Sequence, residues 1–465
     1  MSSNPTLSPT PAKAEPPSNR AILALALPIV LSNVSEQVLG LVDTAVIGRL
    51  GSATSLGAIA MGSALFALLF WAFGFLRMST TGLIAQASGQ QDDLGVRATL
   101  VRGLGLGLLV GVGLIILQAP LGWAVFHVFA GSVGVEAQAS EYYSIRIWSA
   151  PFTLANYVIA GCLIGLGKTS LALAHQLVLN SINIVLDIAF VVGFGWGVAG
   201  VAAGTVIAAL CACLVGLWLV HVALRASGFS GLLAPLPGTI VLARDALRRM
   251  LSVNADIMVR TLLLIAIWTF FMNEGARQGD VVIAANGVLF QFILFAAFFL
   301  DGFAIATETL VGRAVGTKRR AEARAAAKAI SIWAVGAAFA ISAGLALVGP
   351  AAITFLTTAT DVQTAAKAFL IYTILAPLFA VAAFQFDGIF LGATWSRPMR
   401  DAAIESTCVF LASWAVLVPL AGLGNHGLWM AVSIWFVARG ICLGRRYPRL
   451  EAAIAPQPEK SGVSG

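Results

Sequence analysis

Within the apolar stretch Ser170 to Val192, Asn180, Asn183 and Asp187 recur at i, i+3 and i+7. In a helix that spacing stacks the three side chains on one face. A carboxylate at the centre of a bilayer costs about 2.5–3.5 kcal/mol on insertion scales, so an intramembrane acid reads first as an ion or proton site facing a bundle interior. The competing reading is a buried, hydrogen-bonded structural Asp. Depth gives the stripe partners. Asp43 lies roughly eight residues from the end of its own apolar segment, Asp187 roughly nine before the turn at Trp196, and Thr205 roughly nine after it, which puts all three about 12–14 Å below one membrane face. Two carboxylates, amides and a hydroxyl at one level can share a proton or hold a hard cation such as Na⁺. Asp43, Asn183, Asp187 and Thr205 form the expected proton or Na⁺ set, with Asn180 deeper on the same face.

The elements that must position these residues are membrane helices. The chain has 465 residues, 59% hydrophobic and 11% charged, against about 25% charged in soluble domains. The expected fold class is an all-α polytopic membrane protein. Twelve segments of spanning length recur, with expected bounds 21–48, 55–78, 96–126, 142–166, 170–193, 198–224, 250–272, 281–310, 325–348, 365–391, 402–423 and 428–444. The Pro/Ser-rich stretch 1–19 reads as a disordered cytoplasmic tail, not a signal peptide. The expected organisation is an N-lobe at 20–224, a cytoplasmic linker at 225–245, a C-lobe at 246–446 and a disordered tail at 447–465. Alternate loops carry most of the Lys and Arg, among them Arg97, Lys168, Arg225, Arg249, Arg313, Arg319 and Arg446. The positive-inside rule then places both termini in the cytoplasm. The net charge of +7 is read as topology rather than as nucleic-acid binding. The five cysteines lack the spacing of a disulfide framework or metal knuckle.

The two halves repeat. Gly82–Gly89 and Thr309–Gly316 lie 227 residues apart, and Gly161 and Gly165 recur as Gly388 and Gly392 at the same offset. Ala150-Pro151 recurs as Ala376-Pro377. Six spans per repeat is even, so the pseudo-two-fold axis runs along the membrane normal, as in paired-lobe transporters. At that offset Asp43, Asn183, Asp187 and Thr205 map to Phe270, Phe410, Trp414 and Val432. Repeat symmetry therefore does not require the polar set, which favours a function confined to the first lobe.

Pro28 interrupts the hydrogen bonding of the first span and offers a kink, read either as a gate or as a static bend. Glu36 lies i, i+7 from Asp43. Asp256, Asp301 and Asp387 are the second-lobe acids that can line a substrate route or tie helices together. Asp256 is expected to pair with Arg260 at i+4, and Glu308 with Arg313. No nucleotide-binding motif is present in the sequence, so energy is expected from an ion gradient and no cofactor is called for.

Taken together, Leu27-Pro28, Val42-Asp43-Thr44-Ala45-Val46-Ile47-Gly48, Asn183 with Asp187, Asn254-x-Asp256 with Arg260, Phe299-Leu300-Asp301-Gly302 and Asp387-Gly388-Ile389-Phe390-x-Gly392 resemble the multidrug and toxic compound extrusion (MATE) family, in its DinF-type branch. The resemblance runs from Arg20 to Arg446. It implies two six-helix lobes around a central cavity, and export driven by inward H⁺ or Na⁺. It implies a first-lobe site at Asp43, Asn183, Asp187 and Thr205, with Asn156 a further polar position, and a bend of the first helix at Pro28. The expected function is thus a secondary antiporter exporting organic, cationic or amphipathic, multidrug-type compounds, working as a monomer in the inner membrane of a bacterium. The rivals are a lipid-precursor flippase and an organic-acid exporter of the citrate kind. Both would want basic groups in the cavity, whereas Arg77 and Arg260 are the main intramembrane bases read from the sequence.

Overall fold

The computed structural model describes residues 16–48, 52–128 and 132–454, with the backbone alone at 37–48, 53, 124–125 and 127–128. Apolar segments in hydrocarbon must satisfy their own backbone bonds, which leaves helices as the solution. Among the described residues twelve long helices result, eleven of them long and apolar enough to cross a membrane. They are α1 Asn19–Gly48, α2 Thr54–Gly89, α3 Asp93–Ile116, α4 Val133–Gly165, α5 Thr169–Gly193 and α6 Gly197–Ala226. The second set is α7 Arg244–Arg277, α8 Asp280–Gly316, α9 Arg320–Leu356, α10 Thr360–Gly392, α11 Ser396–Leu420 and α12 Gly424–Gly444.

The helices outrun the apolar segments. α8 runs 37 residues, past the expected end at Leu310, because its polar last turns leave hydrocarbon without losing helical bonds. The expected third segment divides at Leu117, where α3 ends and a second helix, Gln118–Val128, begins. α2 breaks at Phe73–Gly74. α5 and α11 both loosen into π-helix at their far ends, at Ile188–Gly193 and Val416–Leu420.

Packing follows the repeat. α2 packs on α4, α3 on α4, α4 on α6, α5 on α6 and α1 on α5. The second half repeats this as α8 on α10, α9 on α10, α10 on α12, α11 on α12 and α7 on α11. Small residues let backbones close up where no hydrophobic drive separates helix from lipid. A Cβ at Gly161 would lie 2.5 Å from the Arg77 carbonyl oxygen, and one at Gly388 would lie 2.1 Å from that of Ala304. Both positions of that contact are matched 227 residues later, the glycine kept and Arg77 replaced by Ala304.

The expected linker is ordered. Arg97 and Arg102 of α3 donate to the carbonyls of Ala234, Pro235, Ile240 and Val241, and Asp93 accepts from the Ser230 N–H at 2.6 Å. A short helix, Gly238–Val241, closes it before α7 starts at Arg244. The expected disordered tail at 447–465 is corrected in its first part: Tyr447–Ile454 is helical. Leu450 and Ile454 are buried, and Glu451 pairs with Arg320 and Arg324 at the start of α9. Residues 455–465 lie outside the described residues, as do 1–15 of the N-terminal tail.

Candidate functional site in the first lobe

α5 carries its polar face into the lobe interior. Asn180, Asn183 and Asp187 are all buried, and Asp187 is fully so. Val185, two residues from Asp187 and on another face, is 64% exposed to the lipid side. The regular helix ends at Asp187, and the π-helical turn follows at once. Single π turns open the backbone ladder and recur at functional sites.

α6 completes the pocket wall. A Cβ at Gly204 would sit 2.6 Å from Asp187 Oδ1, so the glycine makes room for the carboxylate. The Thr205 hydroxyl donates back to Val201 O at 2.9 Å and accepts from Asn183 Nδ2 at 3.3 Å. This spends the nitrogen of Asn183 on Thr205 and leaves the amide oxygen for other contacts. The structure therefore brings Asn183, Asp187 and Thr205 together. The side chain of Asp43 lies outside the described residues; its backbone is within α1.

Asn180 and Asn156 are placed differently. Asn180 Nδ2 donates to Ser35 Oγ at 3.1 Å, and its oxygen accepts from Gln176 Nε2 at 3.1 Å. Its amide is a bridge from α5 to α1. Asn156 Nδ2 donates to Ala209 O at 3.0 Å, and its oxygen is 3.2 Å from His175 Nε2. It ties α4 to α5 and α6 from behind the stripe.

Pro28 lies inside α1, which remains helical across it. Proline has no N–H, so the Ala24 carbonyl four residues back loses its helical donor. Thr169 Oγ1, at the first residue of α5, donates to that carbonyl at 3.1 Å. Sequence reading missed Thr169. The signal was a hydroxyl at the mouth of the helix that packs on the proline-bearing span.

Glu36 is exposed, with Arg77 of α2 and Tyr157 of α4 as electrostatic neighbours. The second-lobe acids are held by arginines. Asp387 accepts from both Arg260 and Arg439. Asp301, half-buried, has Arg77, Arg260 and Arg439 as its cationic neighbours. The expected pairing of Asp256 with Arg260 is corrected: Asp256 accepts from Arg400 Nη1 at 2.8 Å and from Ser396 Oγ at 2.7 Å. Arg260 is taken by Asp387 from the facing helix, a closer fit than a neighbour on its own helix. The expected pairing of Glu308 with Arg313 also gives way, because Arg313 reaches the Leu166 carbonyl. Arg439 was missed, although it stands out as a base inside the apolar run Met430–Cys442.

At the repeat-related position of the second lobe the polar set is replaced by rings. Phe270 meets Phe410 at 5.8 Å and Trp414 at 4.9 Å between centroids, both edge-on. Trp414 Nε1 donates to Glu274 at 3.2 Å.

A single family description, MatE, matches the chain twice, at residues 28–189 and 256–412. One match falls on each half. The chain belongs to the MatE family. It is a multi-pass membrane transporter, not an enzyme. This MatE protein is 38% identical to the DNA damage-inducible protein F of Escherichia coli (strain K12), over 93% of its own length and 92% of the relative's. It is 30% identical to a probable multidrug resistance protein NorM of Deinococcus radiodurans, over 95% and 98% of the two chains. Among solved structures, an outward-facing multidrug resistance MATE family transporter superposes with TM-score 0.84 at 20% identity, over 93% of this MatE chain and 96% of that one. That likeness concerns the fold.

Proposed function

We propose that the chain exports organic compounds, cationic or amphipathic, across the cytoplasmic membrane in exchange for H⁺ or Na⁺ bound in the first lobe. The observation that carries this reading is the contrast between lobes. Phe270 touches both Phe410 and Trp414 in the second lobe. Their repeat mates are Asp43, Asn183 and Asp187. The first lobe thus buries polar groups at Asn183 and Asp187 where the second carries aromatic rings. The proposal assigns the ion to Asp43, Asn183 and Asp187, with Thr205 as a further oxygen.

In the outward state Asp43 and Asp187 take up the ion, which relieves the repulsion between two carboxylates in a low-dielectric site. α1 then bends at Pro28, substrate leaves, and the lobes rock to release the ion inward. The basic connections, Arg97, Lys168, Arg313, Arg319 and Arg446, face the cytoplasm by the positive-inside rule. Both lobes lie in one chain, so a monomer suffices. The flippase and organic-acid readings need cationic groups to spare. Of the intramembrane arginines, Arg260 and Arg439 are committed to Asp387, and Arg77 stands beside the acids Glu36 and Asp301.

The test is transport in proteoliposomes. Ethidium export is followed under an imposed pH gradient and, separately, a Na⁺ gradient. The gradient that drives wild-type export identifies the ion, and Asp43→Asn abolishes the coupling. Undiminished driven export in Asp43→Asn overturns the proposal.

A further inference from the structure

The repeat that shapes each lobe also builds the contact between lobes. At the basic end, α2 of the N-lobe packs on α8 of the C-lobe. Gln86 and Arg313 occupy repeat-related positions there. Gln86 Nε2 reaches across to the α10–α11 turn, donating to Gly392 O at 2.8 Å and Thr394 Oγ1 at 3.1 Å. Arg313 Nη2 makes the reciprocal contact with the α4–α5 turn, donating to Leu166 O at 2.5 Å. One turn further in, Thr309 Oγ1 donates to Ile164 O at 3.2 Å. Its mate Gly82 packs so tightly on the Leu391 carbonyl that a Cβ would lie 2.4 Å from it. One turn further out, a Cβ at Gly89 would lie 2.4 Å from Arg313 O, and a Cβ at Gly316 2.2 Å from Gln86 O. Each contact is matched by another one repeat away. Arg249 adds a contact on one side alone, donating to Gln86 Oε1 at 2.9 Å and Thr394 Oγ1 at 3.0 Å; its repeat mate is Ile22.

This surface has the character of a closure that opens. Its polar bonds run from Gln86, Thr309 and Arg313 largely to carbonyls at the ends of turns. Water can replace such bonds at little net cost when the surfaces part. Its close approach is glycine against backbone, beside buried apolar side chains from both lobes such as Ile84, Val311 and Leu391. Within each lobe, by contrast, the glycine contacts join helices of the same bundle.

We infer that Gln86 and Arg313 are the two positioning residues that hold the cytoplasmic side of the transporter shut, each latching one lobe onto the α4–α5 or α10–α11 turn of the other, with Gly89 and Gly316 supplying the clearance. The consequence for transport rests on the antiporter reading above; the closure itself does not. Because the latch is double, releasing one half loosens both turns.

The experiment uses the full chain in proteoliposomes with Gln86→Ala, Arg313→Ala and the steric wedges Gly89→Ala and Gly316→Ala. Hydrogen–deuterium exchange is read at 163–168 and 390–395, and ethidium transport alongside. All four variants are expected to raise exchange severalfold in both turns. They also lower the apparent KM for ethidium taken from the basic side and slow turnover, and Arg313→Lys restores the wild-type pattern. Gly161→Ala and Gly388→Ala, which wedge helices inside one lobe, lower the melting temperature without this paired exchange. Unchanged exchange at both turns, or a rise confined to the turn whose latch was removed, overturns the inference. Should wild type show no gradient-driven transport while paired exchange responds as stated, the antiporter reading falls and the latch stands.

Discussion

Thr169 Oγ1 donates to the carbonyl of Ala24 at 3.1 Å, the acceptor that Pro28 leaves without a helical partner. The bond joins the first residue of α5 to the proline-bearing turn of α1. Thr169 is itself buried.

Removing that hydroxyl at constant shape tests its role. Thr169→Val removes a part-buried hydrogen bond, at about 0.5–1.5 kcal/mol. The expected result is a lower melting temperature together with a changed ethidium turnover, both restored in Thr169→Ser. If Thr169→Val melts and transports like wild type, the bond does not restrain that turn.

The contrast between lobes predicts opposite phenotypes at mated positions. Asp187→Asn should lower gradient-driven ethidium export more than tenfold with little change in melting temperature. Phe410→Ala removes a fully buried ring, at about 3–5 kcal/mol. It should lower the melting temperature and leave coupling per folded molecule within about threefold, a small fraction of the loss expected at a coupling residue. A loss of coupling in Phe410→Ala at normal folded yield would count against a site confined to the first lobe.

Asp387 pairs with two buried guanidiniums. Breaking a buried pair from one side costs about 3–5 kcal/mol, because uncompensated charge stays behind. Asp387→Asn is therefore expected to melt well below Arg439→Gln, which leaves Arg260 with its partner. Thermal unfolding in detergent ranks the two, and the reverse order would refute this account of the triad.

The helix Tyr447–Ile454 is held by Glu451 against Arg320 and Arg324, and Arg324 is 67% exposed at its side chain. Exposed pairs of this kind contribute about 0–1 kcal/mol each. Glu451→Gln should speed tryptic cleavage at Arg445 and Arg446 and leave transport unchanged. Equal cleavage rates would show that Leu450 and Ile454 suffice to hold the helix.

How far the sequence carried the fold can be seen at particular residues. The spans were legible because hydrocarbon demands long apolar runs. The repeat was legible because backbone contact demands glycine at fixed spacing, as at Gly161 and Gly388. The polar face of α5 was legible because an Asp in lipid is costly enough to need explaining. What escaped was partnership across helices. Arg260 had a nearby carboxylate at i−4, and only the fold, which brings Asp387 of α10 within its reach, sends it there instead. Asn180 shares a face with Asn183, yet a serine on α1 claims its amide. Helical spacing ranks neighbours on one element and is silent about competitors on another.

Arg102 grips the linker at Ile240 and Val241, and α7 starts at Arg244. Up to Val241 the connection travels with the N-lobe, and Leu242 and Ala243 alone are left as slack. Two extended residues span about 7 Å. At this corner the lobes are on a short leash, so they can swing apart but cannot drift. Lengthening the linker ahead of Val241 would leave that leash unchanged, whereas added residues at Ala243 would lengthen it directly.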